Sequence, residues 1–346
     1  MKRLNGKILT SILVAMTSLI AACSDSAPYT KETFVMGTKA WVTIAGMGYR
    51  EAEKAASEAF REMYRIESVM SNWRSTSEIS RLNAESNGEP FTVSRELYSL
   101  IDSSLYYSKA SFGAFDITVR PLVILWGFQG GPATLPSDDE IARALALVGY
   151  GKVTLDAPHS TVTLPAGMQI DLAGVAKGYA VDRCVGVLKE LGVTNALVNI
   201  GGNIFAFGKG PGERGWRIGI RDPRGGMETV GSFLLRNEAV ATSGNYENFV
   251  EIDGQRYGHI LDPRTGEPVS QVLSVTVVAP TGLESDALST GLFVLGPERA
   301  TQAIASLGHV RALFALPRDT EITYIEVGDF EGRLTREKGK THPDPQ

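Results

Sequence analysis

Apolar residues in the first third of the chain recur at the spacing of an α-helix. Ala52, Ala55, Ala59, Met63, Ile66 and Met70 fall on one face with charged residues between them, which predicts a long amphipathic helix over about 50–70. A second helix is expected to open at Ser94. A third begins with a capping box of Ser137 and Glu140, in which each residue satisfies a free donor of the other, and stops at Gly149. The stretch DLAGVAKGYAVD at 171–182 supplies a fourth, over 174–191, closed by Gly192. After it the rhythm changes. Short β-type runs follow one another, among them ALVNI, WRIGI, SFLLR, NFVEI, QRYGHIL and LSVTVVA, and VTL and TVTL flank a turn at 156–160. NFVEI and QRYGHIL meet at Asp253-Gly254, a hairpin turn. Helices come first and hairpins later without strict alternation, so the fold class is α+β, with mainly antiparallel sheets and packed helices. No G-x-G-x-x-G follows a strand, which removes the signature of a doubly wound nucleotide-binding fold.

The N-terminus has a different pattern. Lys2, Arg3 and Lys7 precede an apolar segment over 8–20 that ends in Ala21-Ala22-Cys23. The segment is too short to span a bilayer comfortably and ends in small residues, as an export signal does. Its end also resembles the lipobox of bacterial lipoproteins, which implies cleavage before Cys23 and lipidation of that residue; ordinary secretion is the alternative. We expect a signal peptide over 1–22, a lipidated tether over 23–31, one domain over 32–336 and a tail over 337–346. The full chain sets 34 basic against 39 acidic residues, net −5; loss of the leader removes three cations and leaves 31 against 39, net −8. Nucleic acid is excluded as a natural partner. Beyond Cys23 only Cys184 remains, so neither a disulfide framework nor a cysteine zinc site is available.

Several clusters could carry chemistry. In DLAGVAKGYAVD, glycines, a lysine and a helix start suit a phosphate, but Lys177 precedes Gly178 and the spacing is not that of a P-loop. Tight packing of the helix on a strand through Gly174 and Gly178 is the alternative. In SDALSTG, Asp286 and Thr290 are four apart and share a helical face, offering a carboxylate and a hydroxyl. Such hard oxygens suit magnesium, which keeps much of its water; a helix-capping acid and a back-bonded threonine would look the same. GHILDPRTGEP packs His259, Asp262, Arg264 and Thr265 into a strand end and turn. Of the four histidines, His259 has the surroundings of a base, whereas His159 sits in a turn, His309 after a helix and His342 in the tail. NIGGN and ATSGNYEN end β-type runs in glycine, where backbone can approach a ligand, or simply bend. Asp116 within aromatics and the FVMGT stretch would suit a planar ring, or a core.

Nine segments in order, MGT at 36, SNWRSTSEISRLN at 71, GAFD at 113, PLVILWGF at 121, DLAGVAKGYAVD at 171, NIGGN at 199, ATSGNYEN at 241, HILDPRTGEP at 259 and SDALSTGLFVLG at 285, resemble the ApbE family. Its members, formerly called thiamine biosynthesis lipoproteins, act as FAD:protein FMN transferases. The resemblance implies an ApbE-like, T-fold-like architecture and FAD as substrate. It implies Mg2+ as cofactor, held by Asp286, Thr290 and the Gly174 carbonyl. It places Asp171 and Lys177 at the FAD pyrophosphate, with Met36, Trp73, Ala114, Phe115, Asp116, Ile260 and Leu261 among the contacts of the flavin and adenine. His259 is the expected base, with Asp262 as its orienter or rival. Implied partners are acceptor flavoprotein subunits of membrane electron-transfer complexes, reached from the periplasmic side of the inner membrane by a lipid-anchored protein. The same site could instead serve an FAD pyrophosphatase, or a lipoprotein that only binds FAD.

Overall fold

The computed structural model describes residues 27–336 apart from 131–133, 213, 227, 246–247, 320 and 331. The expected leader, Cys23 and the 337–346 tail lie outside the described residues. The long helix is present as α1, Tyr49–Met70, and buries the expected alanine, methionine and isoleucine stripe. α2, Glu78–Glu85, follows at once and was hidden in a polar stretch; the Ser77 side chain caps it by accepting from the Ser80 amide. α3, Arg95–Ala110, opens on Ser94, whose hydroxyl accepts from the Leu97 amide. α4, Arg120–Leu125, and α5, Asp138–Leu145, come next, the latter on the capping box of Ser137 and Glu140. α5 ends four residues before Gly149. Lys152 accounts for that, because its ammonium donates to the carbonyls of Ala146 and Val148 at 2.9 and 2.7 Å and so satisfies the chain where the helix stops.

α6, Ala176–Glu190, and α7, Gly282–Leu307, complete the set. α6 starts two residues after Gly174 because the amides of Val175 and Ala176 both turn back to the Leu172 carbonyl. α7 breaks at Gly296, where φ is +72°, just before Pro297. Among the described residues, no helix is long and apolar enough to cross a membrane.

Eight antiparallel strands form the central sheet in the spatial order Tyr29–Val35, Thr38–Ile44, Ala196–Ile200, Asn203–Phe207, Glu238–Gly244, Ser274–Ala279, Arg311–Arg318 and Glu321–Val327. Side chains alternate between its faces. Val42, Val198 and Ile200 point to the helical side, where α1 and α6 bury Ala55, Met63, Val181 and Cys184. Leu197, Ile204, Val240 and Leu313 point the other way, onto Trp216, Ile218 and Phe233 of a three-stranded sheet, Trp216–Arg221, Thr229–Leu235 and Leu334–Arg336. The hairpin of Phe249–Ile252 and Gln255–Gly258 stands apart and turns at Asp253-Gly254 as expected, both residues with positive φ.

One end of the central sheet is built from tight turns. Met36-Gly37 joins the first two strands, both residues with positive φ. Gly201-Gly202 joins the next pair, and the Gly201 amide donates to the Lys39 carbonyl, which sets the two turns side by side. Glu238–Gly244 finishes beside them.

Candidate active site

A cleft of about 2330 Å³ opens at this end of the sheet. Its floor is made where α6 meets α7. A Cβ on Gly178 would lie 2.1 Å from the Gly282 carbonyl oxygen, and one on Gly282 would lie 2.4 Å from that of Gly178. The two helices therefore touch backbone to backbone. This contact answers the packing alternative for DLAGVAKG: the glycine packs on a helix, not on a strand. It also places the Gly178 amide 2.8 Å from Oδ2 of Asp286, one turn into α7. Asp182, one turn further along α6, accepts from the free amides of Gly282 and Leu283 at 2.6 and 2.9 Å and fixes the start of α7.

Asp286 is buried, and burial pushes its carboxyl above the usual range; the charge of Lys177, the Gly178 amide and the Asn203 side chain act against that and favour the ion. Thr290 lies one turn on. Its Oγ1 is 3.5 Å from the Ser243 hydroxyl, and a Cβ on Gly174 would come within 3.4 Å of it and 3.1 Å of the Phe115 ring. Gly174 is thus held close to Thr290 and Phe115, with its carbonyl unconstrained by side-chain chemistry. Lys177 also lines the cleft, its ammonium 3.0 Å from the Ala173 carbonyl. Among the described residues, no group of three or more His, Cys, Asp or Glu converges as a metal cluster. One carboxylate with neutral oxygens around it does not suit zinc. It fits a hard cation that keeps most of its water.

His259 sits half-buried in the opposite wall. Its Nδ1 donates to the Asn248 carbonyl at 3.0 Å, which leaves Nε2 as the basic nitrogen. Burial lowers its pKa, the bond to Asn248 raises it, and the charge of Lys177 lowers it further, so the ring is below its ordinary value. Asp262 departs from expectation. Both its oxygens are taken by Arg264, at 2.8 and 2.6 Å, and its backbone closes the Thr265-Gly266 turn. It therefore shapes the turn, and the Asn248 carbonyl orients the histidine.

Met36, Trp73, Phe115, Asp116, Asp171, Ile260 and Leu261 all reach the cleft. Trp73 is 73% exposed at its rim. Asp171 holds the Ala173 amide at 2.8 Å and accepts from the Gln129 side chain at 3.1 Å. Asp116 differs from a free ligand-binding acid: Thr118 donates twice to Oδ1, and the Tyr150 amide donates to Oδ2, at 2.8 Å or less. Burial raises its pKa. Ala114 is buried behind the wall, in the core with Ile260 and Leu292.

Three cleft residues carried no sequence signal of their own. Glu67 accepts from the Met36 amide at 2.7 Å and pins the first turn. Asn203 and Asn245 each bury an amide oxygen that has no partner among the described residues. NIGGN turns at Gly201-Gly202 directly before Asn203, and Asn245 follows directly on the strand that ends at Gly244, so both amides stand where a β-type run meets the cleft.

Comparison with known proteins identifies the family. Residues 36–314 match the ApbE family. A Treponema pallidum FAD:protein FMN transferase is 35% identical over 326 residues, 88% of this chain and 90% of its own length. One from Vibrio cholerae is 34% identical, covering 94% and 99% of the two chains. In three dimensions the chain is similar to the apo flavinyl transferase ApbE of Pseudomonas stutzeri, with TM-score 0.78, 32% identity and coverage of 88% and 96%. It is equally similar to the ApbE protein of Thermotoga maritima, with TM-score 0.78, 33% identity and coverage of 90% and 97%. With the match running through both walls of the cleft and the helix pair at its floor, the chain belongs to the ApbE family.

Proposed function

We propose that this protein moves FMN from FAD to a threonine or serine hydroxyl of an acceptor flavoprotein, with Mg2+ as cofactor and AMP as the leaving product. The observation that carries the reading is the convergence of Asp286, Thr290 and Gly174 beside Lys177, in a cleft that also presents aromatic residues such as Trp73, Trp126 and Tyr257. Relatives named for this reaction match along nine-tenths of their length. The cleft is also larger than the about 300–1,000 Å³ of a small-molecule pocket, which leaves room for a segment of the acceptor beside FAD.

In the step itself, the acceptor oxygen bonds to the FMN-side phosphorus while the bond from that phosphorus to the bridging oxygen breaks. AMP departs with the bridging oxygen and its electron pair. His259 takes the hydroxyl proton at Nε2, with Nδ1 held by Asn248. Lys177 offers a positive charge to the phosphates, and Trp73, exposed at the rim, offers a flat face to a ring. Asp286, Thr290 and the Gly174 carbonyl would hold the magnesium, which when bound offsets the phosphate charge and lines up the reacting groups.

Incubation with FAD, Mg2+ and an acceptor domain tests this. The expected result is an acceptor that gains FMN with an equal amount of AMP. Free FMN without labelled acceptor would replace the reading with FAD pyrophosphatase, and intact FAD would leave a binding protein. Asp286→Ala is expected to abolish transfer, and its full activity at low magnesium would remove the metal assignment.

The same reading puts the protein on the periplasmic side of the inner membrane, anchored by lipid on Cys23, near acceptor subunits of membrane electron-transfer complexes. Mass spectrometry of membrane-derived protein should find acyl chains on Cys23, and Cys23→Ala should release an active soluble form. An unmodified Cys23 would overturn the anchor.

A further inference from the structure

We infer that the side-chain oxygen of Asn203 is a further oxygen of the cation site, and that Asn203 positions Asp286 for it. The inference rests on the proposed metal reading and deepens it. Asn203 is the first residue after the Gly201-Gly202 turn, 5% exposed, on the cleft wall. Its place is fixed twice. It pairs with Ile200 across the hairpin, and the Asn199 side chain clamps the turn by accepting from the Gly202 amide at 2.9 Å.

The two ends of its amide are in different circumstances. The N–H end is hydrogen-bonded to Asp286, since a carboxylate oxygen can only accept. The oxygen is buried and has no partner among the described residues. Turning the amide over would set oxygen against carboxylate, so the orientation follows from the neighbour. A buried acceptor without a donor is uncommon, and such an atom calls for a specific explanation. The proposed reaction brings phosphates to this place, and a phosphate oxygen accepts hydrogen bonds as the asparagine oxygen does. What satisfies a lone oxygen among other oxygens is a cation. A neutral amide oxygen beside a single carboxylate is also ordinary in sites for hard divalent ions.

The test uses Mn2+ as a paramagnetic probe of the site, titrated into the protein with FAD bound and followed by EPR. Metal-free FAD affinity and melting temperature in EDTA are measured on the same samples. Asn203→Ala is expected to weaken Mn2+ binding by roughly tenfold or more, while metal-free FAD affinity stays within about twofold and metal-free melting is unchanged, because loss of the unsatisfied oxygen offsets loss of the donor to Asp286. Asn203→Asp is expected to melt earlier than wild type in EDTA, with two carboxylates facing each other, and to gain more from Mn2+ than wild type does. An Asn203→Ala protein that binds Mn2+ as wild type does would overturn this inference alone. So would one whose loss of affinity is matched by loss of metal-free stability, since that marks a merely structural amide. A wild-type protein that takes up no Mn2+ would overturn the metal reading, and this inference with it.

Discussion

The amide of Gly178 donates to Oδ2 of Asp286 at 2.8 Å, across 108 positions of sequence. The bond exists because α6 and α7 approach without side chains between them, and it couples helix packing to the one carboxylate of the proposed cation site. Gly178→Ala should therefore act on both. The new Cβ would meet the Gly282 carbonyl at 2.1 Å and the Asp286 Cβ at 2.6 Å, and neither neighbour is a flexible side-chain end. We expect a loss of about 1–3 kcal/mol, more than the about 1 kcal/mol that alanine gains over glycine in a helix. Thermal melting should show a drop of several degrees, and Mg2+ should restore less of it than in wild type. Wild-type melting would mean that the helices separate at no cost.

The parts of this site that sequence reveals are those whose partners are near in the chain. Asp286 and Thr290 are legible because four residues make one turn, and Ser94, Ser137 and Glu140 because caps act within three residues. Asp253-Gly254 is legible because its turn demands positive φ. Gly178 is legible as a packing residue, yet nothing local says that its partner is Gly282. Asp262 shows the reverse: closeness to His259 in sequence points to a shared role, while Arg264, two residues further, donates to both of its oxygens. The edge strand Tyr29–Val35 is not legible because its alternating face is only half-buried, and Thr, Lys and Glu dilute its pattern.

His259→Asn tests the proposed base. It removes no proposed ligand, so FAD and metal affinity should hold while single-turnover transfer falls roughly 10²- to 10⁴-fold. Because burial lowers the imidazole pKa, the ring is neutral at pH 7, and the wild-type rate should fall only as pH drops below the ordinary value of 6.5. The mutant should lack that acid limb. An unchanged rate in a stable mutant would end the assignment.

Trp73 separates binding from folding. At 73% exposure on the cleft rim it adds little to the core, but its ring can stack on a planar ligand. Trp73→Ala should keep the melting temperature within a degree or so and weaken FAD affinity about tenfold, the equivalent of ~1.4 kcal/mol. Flavin fluorescence titration reads the affinity. A large fall in melting with affinity intact would make Trp73 a structural residue.

Asp182 should give the protein a pH signature unrelated to turnover. Its two oxygens cap α7, and those amides favour the ion, but burial is the largest influence and the nearby charges of Asp286 and Glu284 add to it. The pKa is pushed up from 3.8 to about 6. A raised folded-state value means that the folded chain holds the proton after the unfolded chain has released it. The associated stability is complete below pH 3.8 and is lost as pH rises to about 6, by at most about 3 kcal/mol. Asp182→Asn keeps an oxygen for one helix amide and has nothing to titrate. Melting curves of both proteins in EDTA, from pH 4 to pH 7, should show the difference moving in favour of the asparagine variant up to about pH 6 and then levelling, while carboxyls common to both cancel. A difference that stays constant across that range would show that Asp182 ionises in the folded protein as it does in the unfolded chain, and that the helix amides fully offset burial and the neighbouring charges.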